Sequence, residues 1–211
     1  MTLVPLGRPT RAESERTLRV AQSRASGKVA RSRKLPEYLD QPEVEALIDA
    51  APHPDCQLLM LLQWRGGLRV SEALAVEVGD LYVDQEPPVL KVRQGKGGKD
   101  RLVPVHPELL AAHQNHLRYR GMRNGRLVTA DKSTVWRWYK RAARKAQGTG
   151  AISGGRRIAT HTLRHSAARH WLACGVPINQ VSMWLGHASI QTTLVYLQLL
   201  PDPSNWMERV S

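Results

Sequence analysis

Apolar positions between residues 35 and 200 recur mostly at the three-and-four spacing of helices. Val44, Leu47 and Ile48 fall on one helical face, and the residues before them supply a start. Asp40 stands at the N-cap, Pro42 in the first turn and Glu43 three residues after Asp40. A second helix is predicted over 55–65, stopping at Gly66-Gly67, and a short third over 71–76. The pattern then turns extended. Residues 89–92 and 102–105 read as strands joined by a Gly/Lys turn over 94–100, a hairpin entered at Pro87-Pro88. Helices resume over 107–119 and 133–146. Residues 147–155, with Gly148, Gly150, Gly154 and Gly155, form a loop leading to a helix over 162–173 that is closed by Gly175. Pro177 opens another helix with Ile178, Val181 and Leu185 facing inward, and a last helix over 190–199 ends before Pro201. The expected fold class is mainly α with a small antiparallel β-hairpin or sheet.

Composition sharpens this picture. A chain of 211 residues suits one domain plus a tail, and 42% hydrophobic content is ordinary for a globular protein. The charge is not ordinary, since 31 Lys+Arg against 18 Asp+Glu leave a net +13. Such a surface attracts polyanions, nucleic acid first among them. Residues 1–34 hold nine Lys/Arg against two Asp/Glu, and they read as a flexible basic arm, with a helical stretch over 12–24. Folded structure is expected from 35 to 200, with 201–211 as a C-terminal tail. Cys56 and Cys174 sit in apolar helical patterns and read as buried thiols in a reducing compartment. No apolar run reaches membrane-spanning length and no secretory leader is evident, so the expected location is the cytoplasm, without a membrane partner.

Several polar residues carry candidate chemistry. Arg69 follows Gly66-Gly67 in a turn, and its planar fork suits phosphate oxygens, with Glu72 placed to orient it; taken alone, the pair reads equally as an ordinary surface or ion-paired arginine and a helix-surface acid. Lys96, in Gly95-Lys96-Gly97-Gly98-Lys99, lies near a hairpin tip, either as part of a solvated turn or as a cation that reaches a minor groove and protonates a leaving 5′-oxygen; Lys99 is its rival. The tract lacks the spacing of a phosphate-binding nucleotide loop, which argues against ATP use. His161 and Arg164 are spaced to share a face at a helix start, where N–H groups add donors for an anion; a capping His beside a solvated Arg fits equally well. His187 follows Gly186 at an interhelical turn, and Tyr196 lies nine residues on, either a core tyrosine or a nucleophile. Metal binding by His113/His116 or His161/His165 is not expected, because no Cys/Asp/Glu cluster accompanies them. His113 and His116 read as surface residues and His165 as a structural hydrogen-bonder. Trp136 and Trp138 flank a basic helix whose Arg137, Lys140, Arg141, Arg144 and Lys145 are candidates for phosphate contacts.

Taken in order, Gly67-Leu68-Arg69-Val70-Ser71-Glu72, the Gly95-Lys96-Gly97 hairpin, His161-Thr162-Leu163-Arg164-His165, Leu185-Gly186-His187 and Tyr196 resemble the catalytic domain of the tyrosine recombinases, the phage integrase family. The likeness covers residues 35–200. It implies that Arg69, Arg164 and His187 bind the scissile phosphate and that Tyr196 attacks it to form a 3′-phosphotyrosyl link. It further implies that His161 assists proton movement at the tyrosine and Lys96 protonates the departing 5′-hydroxyl. Neither metal nor cofactor is required, because the bond energy stays in the phosphotyrosine. Double-stranded DNA is the implied partner, with four protomers acting on two sites and accessory DNA-bending proteins as further partners. The tail from Pro201, with Trp206 and Met207, is the implied contact between protomers. Most members carry an N-terminal core-binding domain. In the sequence as given a basic arm of about 34 residues precedes the catalytic segment, which is expected of the small invertases that flip fimbrial promoters and equally of a truncated integrase or a fragment.

Three functions compete on the sequence: strand-exchanging recombinase, type IB topoisomerase-like nicking-closing enzyme, and DNA-binding regulator that keeps the fold without catalysis. The arm generates one prediction common to all three. Deleting residues 1–34 is expected to weaken DNA binding and to flatten its salt dependence, by about 0.9 in log–log slope for each phosphate that the arm neutralises. Fluorescence anisotropy across a salt series measures this, and an unchanged slope would make the arm a passive leader.

Overall fold

The computed structural model describes residues 35–93 and 100–200. In chain order the elements are α1 (Gln41–Asp49), α2 (Pro54–Trp64), α3 (Val70–Ala75), β1 (Leu81–Tyr82), β2 (Val89–Val92), β3 (Arg101–Pro104), α4 (Pro107–Arg120), α5 (Lys132–Gly148), α6 (Thr162–Ala173), α7 (Ile178–Leu185) and α8 (Gln191–Leu194). A 3-10 turn, Leu197–Leu199, follows α8.

Helix α2 organises the core. Every residue from Leu58 to Trp64 is buried, as expected of a helix that is apolar on all sides. It packs against α1, α3, α4, α5 and α6. One polar side chain on it is partnered at both its amide nitrogen and its carbonyl across the core. Gln63 donates to the Thr160 carbonyl (2.7 Å) and accepts from the Tyr139 hydroxyl of α5. This ties the segment before α6 to the centre of the molecule. At α1 the expected start is present, with the Glu43 carboxylate accepting from the Asp40 N–H at 2.9 Å. The same carboxylate holds Arg156, which also donates to the Tyr38 carbonyl.

The strands form one antiparallel sheet in the order β1-β2-β3. Leu81, Leu90 and Val103 align across it and face the core, and Arg101 aligns with Val92 on the same buried side. β1 has only two residues, too few for an alternating pattern to show in the sequence. A second, smaller apolar cluster forms beside the main core from Ala168, Leu172, Val181, Leu185 and Tyr196, packed by Trp171, Ile178 and Leu199.

Four sequence expectations need correction. His113 and His116 are buried on the inner face of α4, where His116 Nε2 bonds the Leu127 carbonyl at 2.8 Å. Cys174 is exposed, because the chain leaves α6 there and turns at Gly175; Cys56 is buried, and its thiol is pushed up to about 12 by burial and the nearby Asp55 charge. α5 continues through Gln147 and Gly148, so the glycine-rich loop begins later than expected. The expected helix over 190–199 is broken into α8 and the 3-10 turn, with Tyr196 between them. The arm, the hairpin tip with Lys96 and Lys99, and the tail lie outside the described residues. No helix among the described residues is long and apolar enough to cross a membrane.

His113 generates a stability prediction. Both ring nitrogens are buried without a partner among the described residues, and burial with the neighbouring His116 lowers its pKa. The unfolded chain therefore takes up this proton first on acidification. Stability is complete above the ordinary imidazole range near 6.5 and declines as pH falls below it. His113→Leu is expected to raise unfolding free energy at pH 7.5 by about 1 kcal/mol and to shrink the loss between pH 7.5 and 5.5. Urea unfolding at both pH values measures it; an unchanged pH dependence would show that this ring does not titrate on unfolding.

Candidate active site

The buried Glu72 carboxylate gathers three arginines from distant parts of the chain. Arg69, at the turn before α3, donates its backbone N–H to Oε2 and its Nη1 to Oε1, both at 2.8 Å. Arg101, from β3, makes a two-pronged contact, Nη2 to Oε2 at 2.8 Å and Nη1 to Oε1 at 3.1 Å. Arg164, from α6, reaches Oε2 at 3.5 Å. Burial alone would raise the Glu72 pKa. Hydrogen bonds from Arg101 and the Arg69 N–H, with the charges of Arg101 and Arg164, overcome that and hold it at about 2. One negative and three positive groups leave this cluster two charges short of neutrality, a strong demand for an anion in a desolvated place.

The local backbone explains how the arginines are aimed. Arg164 is 5% exposed and spans two chain reversals, donating Nη1 to the Gly67 carbonyl and Nη2 to the Leu185 carbonyl, each at 2.6 Å. Gly67 has φ +64°, and a Cβ there would lie 2.6 Å from the Trp171 ring, so only glycine fits the turn that presents Arg69. Gly186, φ +63°, closes α7 in the same left-handed conformation and hands the chain to His187. Burial, aided by repulsion from Arg69, lowers the Arg164 pKa to about 10, so it stays charged at neutral pH. Arg69 is the outward member, with its side chain 36% exposed and its Nε and Nη2 edge unpartnered among the described residues.

Beside the arginines runs an array of rings. His161 lies edge-on to His165 (5.1 Å between centroids), His165 contacts Tyr196 (5.7 Å), and Tyr196 stacks on His187 (6.4 Å, 14° between planes). His165 Nδ1 lies 2.7 Å from the Tyr196 hydroxyl. Burial, then the charges of His161 and Arg164, lowers the His165 pKa to about 4, so at neutral pH this ring is uncharged, and its Nδ1 shares a hydrogen bond with the phenol. His187 Nδ1 pairs with the Thr193 hydroxyl at 2.7 Å, and burial with the Arg164, Arg69 and Arg101 charges takes its pKa to about 4 as well. Tyr196 is 3% exposed, and burial raises its pKa against the lowering influence of Arg164 and Arg69.

Five of the six residues singled out by sequence, Arg69, His161, Arg164, His187 and Tyr196, thus converge, together with Glu72. His161 begins α6 as an exposed residue whose side chain does not cap the helix, which removes the capping alternative. Sequence reasoning missed two members. Arg101 had a legible signal, since Arg101, Val103 and Val105 alternate onto the buried face, and a buried arginine needs a carboxylate. His165 was read as a structural hydrogen-bonder, but its partner is the candidate nucleophile itself. On α5, Arg137, Arg141, Arg144 and Lys145 are exposed, Lys140 lies over the exposed Trp136, and Trp138 turns inward to stack on His53. No three His, Cys, Asp or Glu side chains among the described residues are grouped to hold a metal ion.

The sequence pattern of the phage integrase family matches residues 37–202. The chain belongs to the phage integrase family. Tyrosine recombinase XerA of Pyrococcus furiosus is similar to it, 36% identical over 176 residues, 78% of this chain and 58% of the relative. This family member therefore spans about three-fifths of that relative's length. The crystal structure of a XerA recombinase superposes with TM-score 0.67 at 26% identity, covering 94% of this chain and 73% of that one. A XerH site-specific recombinase, solved in a post-cleavage complex with a palindromic difH substrate, shares the fold with TM-score 0.67 at 21% identity, over 87% of this chain and 54% of that one.

The cluster at Glu72 generates a prediction about stability. Glu72→Ala leaves the buried Arg101 and Arg164 without their carboxylate and is expected to lose about 3–5 kcal/mol of unfolding free energy, with Glu72→Gln losing less. Urea unfolding measures both, and a loss below about 1 kcal/mol for Glu72→Ala would show that the arginines do not depend on it.

Proposed function

We propose that this chain is the catalytic part of a site-specific DNA recombinase that cuts and rejoins DNA through a 3′-phosphotyrosyl intermediate. The observation that carries the reading is the anion-deficient arginine cluster built beside a hydrogen-bonded tyrosine. A scissile phosphodiester supplies the missing negative charge. Arg69 offers its free edge to one non-bridging oxygen, and Arg164 offers the N–H groups not used on Gly67 and Leu185. With Thr193 donating to Nδ1, the neutral His187 carries its proton on Nε2 and donates it to a phosphate oxygen.

In the first step the Tyr196 oxygen forms a bond to phosphorus as the bond to the 5′-oxygen breaks. The phenol proton passes to His165 Nδ1, with the exposed His161 linking that ring to solvent. The departing 5′-oxygen takes a proton, the role the family likeness gives to Lys96. A 5′-hydroxyl from a second strand then attacks the phosphotyrosine and restores the phenol. One phosphodiester is exchanged for another, so the steps need neither a nucleotide nor an external oxidant.

Double-stranded DNA is the partner in this reading. The exposed cations of α5 and the arm add backbone contacts, and residues 35–200 act as the catalytic domain. Exchange between two duplexes uses four protomers, with residues 201–211 reaching a neighbour and DNA-bending proteins assisting.

Nicked duplexes cut from the DNA on either side of the gene, incubated in EDTA, test the reading. The wild type is expected to form a covalent protein–DNA adduct visible on a denaturing gel, and Tyr196→Phe to form none. Binding without adduct on every such site would favour the regulator. Relaxation of supercoils without recombinant product would favour the nicking-closing enzyme.

A further inference from the structure

Arg101 belongs to neither the sequence motifs nor the ring array, yet it joins the two halves of the site. Its guanidinium lies flat against Glu72 with two hydrogen bonds, while its Nε donates to the Trp184 carbonyl at 2.7 Å. Trp184 lies three residues before His187, at the end of α7. The same guanidinium fills the space that a side chain on Gly186 would occupy, a Cβ there falling 2.9 Å from Nη1 and 3.1 Å from Cζ. One buried side chain therefore bears at once on the carboxylate that aims Arg69 and on the turn that presents His187. The contact between α7 and β3 runs through this point.

We infer that Arg101 is a positioning residue for the phosphate-binding groups, setting the separation of Arg69 and His187 by clamping Glu72 to the Trp184–His187 turn. The inference rests on the recombinase reading of the same site. Geometry favours positioning over direct contact. Three of the five N–H groups of Arg101 are spent on Glu72 and Trp184, and its side chain is only 8% exposed. The groups facing Glu72 are Arg69, Arg101 and Arg164, and the cleft beside it is lined by Glu77, Arg93, Asp100 and Arg126. Arg93 is committed to Asp80 and Glu77, and so does not replace Arg101. Lysine is no substitute either, since a single ammonium cannot bond both carboxylate oxygens and the Trp184 carbonyl from one plane.

The test compares DNA binding with adduct formation on the nicked duplex, for wild type, Arg101→Ala and Arg101→Lys. Arg101→Ala is expected to bind within about threefold of wild type, yet to form adduct at least about tenfold more slowly at saturating protein. Arg101→Lys is expected to fall between the two. Guanidinium chloride at low millimolar concentration, against an equal concentration of sodium chloride, is expected to restore several-fold of the rate to Arg101→Ala and none to Arg101→Lys. A merely structural loss would not respond to guanidinium. If Arg101→Ala does not melt cooperatively, Arg101→Lys decides: a rate within about twofold of wild type overturns the inference. A defect wholly in affinity, or no guanidinium response in folded Arg101→Ala, overturns it as well. Wild type without adduct would instead overturn the recombinase reading, so the two failures are distinguishable.

Discussion

A single carboxylate, Glu72, is what allows three arginines to share one desolvated corner of this protein. Left alone, the guanidinium groups would repel one another and demand water. With Glu72 among them they lock onto fixed acceptors, and the carboxylate is held ionised by the cations it neutralises. The cluster is incomplete in charge. Two of the arginines, Arg101 and Arg164, are buried against the carboxylate, and the third, Arg69, leaves an opening for an anion at its outward edge.

The scaffold serves that corner through tight backbone reversals. Arg164 reads two of them directly, binding the carbonyls of Gly67 and Leu185, so the turns that carry Arg69 and His187 are joined through one side chain. Around this the central helix α2 fixes the approach to α6 through Gln63 and Thr160. The ring array sits on the other, smaller apolar cluster, to which Tyr196 belongs. Arg69 and Arg164 are thus set beside main-core residues Leu68 and Leu163, whereas His187 and Tyr196 go with the smaller cluster, and Trp171 packs against both.

Much of this was legible in the residues. The helices over the first and central segments follow from apolar spacing and from starts such as Asp40 to Glu43, and the motif residues Arg69, Arg164, His187 and Tyr196 do meet. What failed has identifiable causes. His113 and His116 look like surface residues because histidine is polar, but α4 turns them inward against α2 and the Leu127 carbonyl. The 190–199 segment reads as continuous because nothing in it breaks a helix, whereas the structure divides it at Val195-Tyr196, where Tyr196 enters the small cluster. Arg101 escaped because a lone cation in a strand is ordinary, and its meaning lies in Glu72, twenty-nine residues earlier in sequence.

Arg169 has a topological consequence. It bonds Asp40 at the head of α1 and the Leu199 carbonyl, and it lies over the Tyr38 ring. Leu35, Pro36, Gln198 and Leu199 line one shared cleft. The chain therefore enters and leaves this domain through a common doorway. A short peptide joining residues 35 and 200 would close the backbone into a ring without unthreading any element, which makes the domain a natural candidate for circular permutation.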